Sequence, residues 1–548
     1  MNSHTLAKGL DVIVVGGGVS GICAAVSAAE NGASVVVLDR AFGGGASAIS
    51  GGVVYAGGGT RHQVAAGFDD TPDNMFRYLR REVGDAVDET TLRSFCNQSV
   101  ASIEWLETHG VRFSGTMVPY KTSYPTGEYH LHYSGNEKAK PWASLAKPAP
   151  RGHRTVGQGL PGMEMTGASL WQSMFDSAVR LGVGFIPASR VHQLLVDDRG
   201  KVQGVQYRAL GAAGPGWAIA LYKWLTNKAK KYRATFQYMS NALDCVADVL
   251  WTKYARDESL EARAVILAAG GFHSSRPTSF KVNKEMVRRY APWVMKMAPL
   301  GTSGDDGTGI NLGQSVGGSI SHMGRVAAWR FIYPPEALSE GVVVCPAGQR
   351  IASEDLYGGS LADAMIRNAD GRGVLILDSL QWQRFKHQIP QQTQGLWRLV
   401  ARYIEVWNHH KAESIQLLAK ILGIDANTLQ LTIHEHNDAI VNGEPDPMGK
   451  VESRCVVASP PFYAIDISIQ ASGFMSVPTF TLGGLRVNGT TGRLLNDAGD
   501  AIPGVYAAGR NAVGICSNSY ISGLSLADCV FSGRRAGEHA VTKGRIDE

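Results

Sequence analysis

Gly16-Gly17-Gly18-Val19-Ser20-Gly21 fits GxGxxG, and an acid, Asp39, follows about 20 residues on, where a carboxylate can accept hydrogen bonds from ribose hydroxyls. Each position has a physical task. Gly16 makes a tight turn, Gly18 lets backbone approach a diphosphate, and Gly21 lets a helix lie close to a strand. Val19 and Ser20 open that helix, whose exposed amides favour phosphate. Arg40 stands beside the acid. The chemistry is dinucleotide binding. A second glycine-rich stretch, Gly43-Gly44-Gly45-Ala46-Ser47 and then Ser50-Gly51-Gly52, follows directly. A nicotinamide site does not need it. An extended FAD does, because its ring must approach backbone closely.

The elements that must hold these residues are legible around them. Asp11 to Val15 is a short β-branched run, read as a buried parallel strand. An alanine-rich helix follows and stops near Gly32, and Ala33 to Leu38 reads as a second strand ending at Asp39. The expected fold is α/β: a Rossmann-like FAD-binding domain of the glutathione-reductase type with an inserted α+β capping domain.

Bulk properties exclude several classes. With 548 residues, 44% hydrophobic and 18% charged, the chain is long enough for more than one core. A net charge of +5 without an aromatic-basic motif gives no reason to expect nucleic acid. The seven cysteines are scattered, with no CxxC, haem-attachment or zinc spacing, as expected of reduced thiols and no metal site. The first residues lack the order of a signal peptide, and no run reaches the roughly 18 apolar residues of a spanning helix. The expected location is cytoplasmic.

Four further segments carry a resemblance. They are Ala264 to Phe272 (AVILAAGGF), Gly304 to Gly318 (GDDGTGINLGQSVGG), Leu482 to Arg510 (ending PGVYAAGR) and Ser522 to Gly537 (SGLSLADCVFSGRRAG). In this order they resemble the fumarate reductase/ketosteroid dehydrogenase flavoprotein superfamily over nearly the whole chain. The resemblance implies FAD contacts from Ala269, Gly270, Asp306, Gly509, Arg510, Ser525 and Leu526, with the last helix aiming its N-terminus at the flavin. Succinate dehydrogenases of this superfamily attach FAD through a histidine. Its place here holds Gly45, which implies non-covalent FAD.

The same likeness bears on the reaction. Dicarboxylate-reducing members grip substrate with cations. Here Tyr333 stands for a histidine, Gly358 for the arginine acid, Cys516 for a second histidine and Tyr520 for the substrate arginine. A buried dianion without counter-charge would be very costly, so the implied substrate is a neutral, mostly apolar ketone. Tyr520 to Ser525 (YISGLS) resembles the branch forming the 4,5 double bond of 5α-3-ketosteroids. The 1-dehydrogenase branch tends to show tyrosine followed by Pro-Gly. The implied chemistry removes an α-proton and passes a β-hydride to FAD. Tyr520 polarises the ketone, with a backbone amide near Leu524, while Tyr333 and Ser522 form a proton relay; the order among these three stays open. Because a free tyrosine titrates near 10, the relay needs a lowered value or a path to solvent. Alternatives are a 1-dehydrogenase, an ene-reductase on another apolar ketone, a fumarate-reductase-like enzyme, or a flavin protein without turnover. An external electron acceptor is expected.

Domain limits are read as 1–325 for the first part of the FAD domain, 326–458 for the cap and 459–548 for the return. Residues 211–259 form an insertion with Trp217, Leu221 and Trp224 among lysines. It reads either as a helical pair on the domain flank, which could also be an oligomer contact, or as a basic amphipathic helix docking on a membrane.

Overall fold

The computed structural model describes residues 9–542 apart from positions 124, 126, 159–164, 212–213, 234–235, 274–279 and 471–472. The N-terminal stretch read for a signal peptide thus falls mostly outside the described residues.

The FAD domain is built on an eight-stranded sheet. Leu10–Val15 lies centrally, parallel to Val35–Leu38 on one side and to Arg256–Leu267 on the other. Ala501–Ala507 extends the sheet beyond Arg256–Leu267, and Gly184–Ile186 extends it beyond Val35–Leu38. These strands are apolar on both faces because both are covered, one by the helices Val19–Glu30 and Leu524–Thr542 and the other by the strands Ser189–Val196 and Val202–Ala209 with the helix Thr308–Ser315. The helix Val19–Glu30 is sandwiched between the sheet and the final helix, Leu524–Thr542, and residues from both helices share one core. Loops leaving the carboxyl ends of Leu10–Val15, Arg256–Leu267 and Ala501–Ala507 converge, which is where open α/β sheets bind ligands.

The insertion forms two helices, Gly216–Tyr232 and Gln237–Tyr254, packed on each other. It ends sooner than expected. Residues from Arg256 onward already pair with the strand Val202–Ala209.

The cap has a four-stranded antiparallel sheet: Val342–Val344, Val374–Leu377, Phe462–Asp466 and His410–Ala412. This corrects the boundary at 459. Phe462–Asp466 bonds to a cap strand on each side, so the return to the FAD domain comes later, through Pro478–Thr481. That strand pairs with Ala298–Pro299 and Val326–Ala328, joining both crossings between the domains in one small sheet. The cap also carries three helices, Ser379–Gln392, Gly395–Val406 and Ile415–Leu422, with the strand His410–Ala412 before the last. Within the cap, Arg350 binds Glu354 and Asp446, each at 2.7 Å.

Candidate active site

A cavity of about 730 Å³ runs along the carboxyl ends of the strands, within the range of cofactor sites. The glycine loop lines it, as do Asp39, Arg40 and the Gly45-Ala46-Ser47 turn. Ala269, Gly270, Asp306 and Arg510 reach it from the later segments. The glycines are required by space. At Gly16, with φ +110°, a Cβ would stand 2.5 Å from the Ala268 carbonyl oxygen; at Gly21 it would stand 1.9 Å from that of Gly16. Gly21 is therefore a packing residue and not part of the wall. Gly51, Gly52, Gly509, Ser525 and Leu526 also lie off this wall.

Charges here come largely in pairs. Asp39 accepts from the amides of Gly17 (2.8 Å), Ala41 and Gly43 (2.9 Å each). Arg40 pairs with Asp306, and Arg510 with Asp305. Burial alone would raise the Asp305 carboxyl, but Arg510 and His273 outweigh it and hold it below its ordinary range. The sequence reading missed Lys230 and Arg233, which line the same cavity from the insertion.

The implied catalytic residues lie toward the cap. Tyr520, half-buried, is held edge-on by Trp329 (4.9 Å) and Phe480 (5.3 Å). Ser522 precedes the final helix, and its amide donates to the Ser134 carbonyl at 2.9 Å. The Leu524 amide, expected to help polarise a ketone, donates instead to Ile521 at 3.2 Å. The closing turn before the helix consumes it.

Tyr333 is buried, and its hydroxyl donates to the Leu356 carbonyl at 3.1 Å. It lines a second cavity of about 320 Å³ between segment 117–139 and the cap. Burial, reinforced by Asp355, pushes its hydroxyl well above the ordinary tyrosine value. Of the two conditions the relay required, a lowered value is thus removed. Nor is this cavity neutral. It holds Lys121 and Lys138 with Glu336, Glu340, Asp355 and Glu452. The lysines pair with Asp355 (3.1 Å) and Glu452 (2.9 Å) and Arg384 pairs with Glu340, so that among the described residues Glu336 is the acid in excess. Such a wall repels a dicarboxylate.

A chain of contacts through Tyr357 and Trp329 leads from the Tyr333 cavity to Tyr520. Tyr357 stands between them, a residue the sequence did not single out. It lines the Tyr333 cavity, and its hydroxyl accepts from the indole of Trp329 at 3.1 Å. The only hint was its place next to Gly358.

The FAD binding domain family matches this chain over residues 11–520. The chain belongs to that family. The wall of small residues and backbone amides described above fits FAD. The chain is 36% identical over 514 residues to the 3-oxo-5-alpha-steroid 4-dehydrogenase of Comamonas testosteroni, spanning 91% of this chain and 92% of that one. It is 24% identical over 567 residues to the 3-oxosteroid 1-dehydrogenase of Mycobacterium tuberculosis, spanning 93% and 94%. Among solved structures it resembles the 3-ketosteroid-delta4-(5alpha)-dehydrogenase from Rhodococcus jostii RHA1 in complex with 4-androstene-3,17-dione. That match has a TM-score of 0.81 and 30% identity, and covers 99% of both chains.

Proposed function

We propose that this protein is an FAD-dependent dehydrogenase that introduces the 4,5 double bond into 5α-reduced 3-ketosteroids. The observation that carries the reading is Tyr520, seated between Trp329 and Phe480 where dicarboxylate-reducing relatives carry an arginine. The kinship to 4-dehydrogenases supports the position of the double bond. The 1-dehydrogenases are more distant, and Tyr520 is followed by Ile521-Ser522 instead of Pro-Gly.

When bound, FAD supplies the acceptor for the hydride leaving carbon 5. The chain's own residues manage the proton. Tyr520 donates to the 3-ketone and stabilises the enolate that develops as carbon 4 loses its proton. The first-turn amides of the final helix add their dipole. Ser522 and Tyr333 pass that proton outward. Tyr333, kept protonated by its surroundings, acts by handing protons on through its hydroxyl, not as a standing base. The acid-rich cavity beyond it leads the proton to solvent. FAD is held without a covalent bond, and an external acceptor reoxidises it.

Anaerobic mixing with a 5α-3-ketosteroid is the test. Bleaching of the yellow flavin with a 4-ene product is expected. A 1-ene product would move the protein to the other branch, and bleaching only by other ketones would remove the steroid. Heat denaturation should release FAD into the supernatant.

A specific observation favours a membrane contact as well. Trp217 and Trp224 are 57% and 53% exposed on one helical stripe with Leu221, beside exposed Lys223 and Lys231. Among the described residues no helix is long and apolar enough to cross a membrane. We propose that this outer face rests on anionic lipid, where an apolar substrate would collect. Salt-sensitive pelleting with phosphatidylserine liposomes is expected; no pelleting would remove the idea.

A further inference from the structure

The inner face of the same insertion does something different. Tyr222, Thr226, Asn227 and Lys230 from its first helix, and Asp244 and Asp248 from its second, line the 730 Å³ cavity. The pair is fastened there by side chains. Tyr222 donates its hydroxyl to the Arg40 carbonyl at 2.9 Å, and Lys230 Nζ donates to the Gly43 carbonyl at 3.2 Å. Asp248 is 3.9 Å from Arg40 and also binds Arg190. The insertion therefore closes over the glycine loops, opposite the sheet.

Two cations are carried in with it. Arg233 is only 5% exposed, and it donates to the Asn241 amide oxygen at 2.6 Å while its Nε has no partner. Lys230 is half-buried, with its ammonium 3.2 Å from where a Cβ on Gly44 would stand. Neither forms an ion pair within 4.0 Å among the described residues. The carboxylates that act on them, Asp39 on Lys230 and Asp305 on Arg233, are already engaged, Asp39 by three amides and Asp305 by Arg510. Burial lowers the pKa of both groups, and the distant carboxylates only partly offset it. One buried and one half-buried positive charge, with no ion pair among the described residues, are costly unless an anion comes with the ligand. The facing wall, Gly16 to Gly18 and Gly43 to Ser47, is the phosphate cradle.

We propose that Lys230 and Arg233 are ligands of the FAD diphosphate, making the helical insertion a clasp that closes over the cofactor. This rests on the chain binding FAD and not on the steroid reading, so the two can fail separately. A dinucleotide brings two negative charges to two waiting cations. Adenosine, which lacks the diphosphate, offers them nothing.

The test uses full-length protein, holo and after removal of FAD, with Lys230→Ala, Arg233→Ala and the double variant. The clasp predicts opposite effects on the two forms. Without FAD, the variants melt at or above the wild-type temperature, because an uncompensated buried charge is gone. With FAD, the stabilisation it confers shrinks, as its dissociation constant rises about tenfold for each single variant and more for the double. Salt dependence of FAD binding weakens in parallel. A dissociation constant within twofold of wild type would overturn the proposal, and so would equal losses of melting temperature in both forms. Should the variants fail to fold, hydrogen exchange on the wild type decides. ADP must protect residues 216–233 in the FAD-free protein while adenosine does not; equal protection by both, or by neither, refutes the clasp.

Discussion

Asp305 and Glu137 are both buried carboxyls, 3% and 1% exposed, yet their surroundings are opposite. Asp305, at the dinucleotide end, meets Arg510 and the amides of Thr302 (2.9 Å) and Gly271 (3.2 Å). Glu137 belongs to the segment whose Ser134 carbonyl holds the Ser522 amide. One of its oxygens accepts from Gly135 at 2.8 Å and the other has no partner. Burial raises it to about 7, although Arg151 pulls the other way. The dinucleotide end is organised around fixed charge. The tyrosine end keeps a carboxyl poised near neutrality, near the hydroxyls proposed to pass a proton. The two functions proposed for these ends, gripping an anion and moving H⁺, thus coincide with acids that are paired in one place and one that is isolated in the other.

The sharpest way to break this contrast is Tyr520→Phe. Removing a donor aimed at a developing oxyanion costs about 10²–10³ in kcat. Steady-state turnover should fall by that much while FAD content, read from flavin absorbance, stays unchanged; normal turnover would remove Tyr520 from the mechanism.

Next comes the pH dependence of stability, where the two carboxyls act with opposite sign. Glu137, raised in the fold, contributes stability that is full below about pH 4.5 and is lost as pH rises through about 7. Its amplitude is about 3 kcal/mol at 1.36 kcal/mol per unit. Asp305, lowered in the fold, contributes stability present above its ordinary value and lost as pH falls. Urea denaturation of wild type and Glu137→Gln at pH 5 and pH 8 checks this. The variant should gain relative stability at pH 8, and an unchanged difference between the two pH values would count against an isolated acid.

Gly21→Ala probes the dinucleotide end by sterics alone. A Cβ 1.9 Å from the Gly16 carbonyl oxygen forces the loop to shift, costing about 1–3 kcal/mol. The holoprotein should melt lower and release FAD more readily, with turnover per bound FAD preserved.

The smallest effect belongs to the outer face of the insertion. Lys223→Glu should weaken liposome binding by about 1 kcal/mol or somewhat more, without altering FAD affinity.

Much of the dinucleotide half was legible in the sequence because its signals are local. A β-branched run, a glycine turn, an alanine-rich helix and an acid lie within forty residues, and each reports on its neighbours. The later family segments placed Ala269, Asp306 and Arg510 on the same cavity. What escaped depends on contacts distant in the chain. Lys230 and Arg233 read as solvated charges on a basic helix, since nothing near them in sequence reveals that they turn inward. Phe462–Asp466 was assigned to the wrong domain because its partner strands lie far upstream. Tyr357 carried no periodicity or motif of its own, and only the fold sets it beside Trp329.

The sheet order also governs how the protein can be made. Leu10–Val15 leaves the ribosome some five hundred residues before the elements that complete the layers around it, Ala501–Ala507 and the helix Leu524–Thr542. Gly533 and Gly537 let that helix ride directly on the backbone of Ser20 and Ala24, where a Cβ would stand 2.4 and 2.2 Å from the respective carbonyl oxygens. Throughout translation the nascent chain carries an N-terminal half whose apolar face has no cover, a state prone to aggregate. Chain termination before the helix Leu524–Thr542 should therefore yield insoluble product, and chaperone demand should fall once that helix has cleared the exit tunnel.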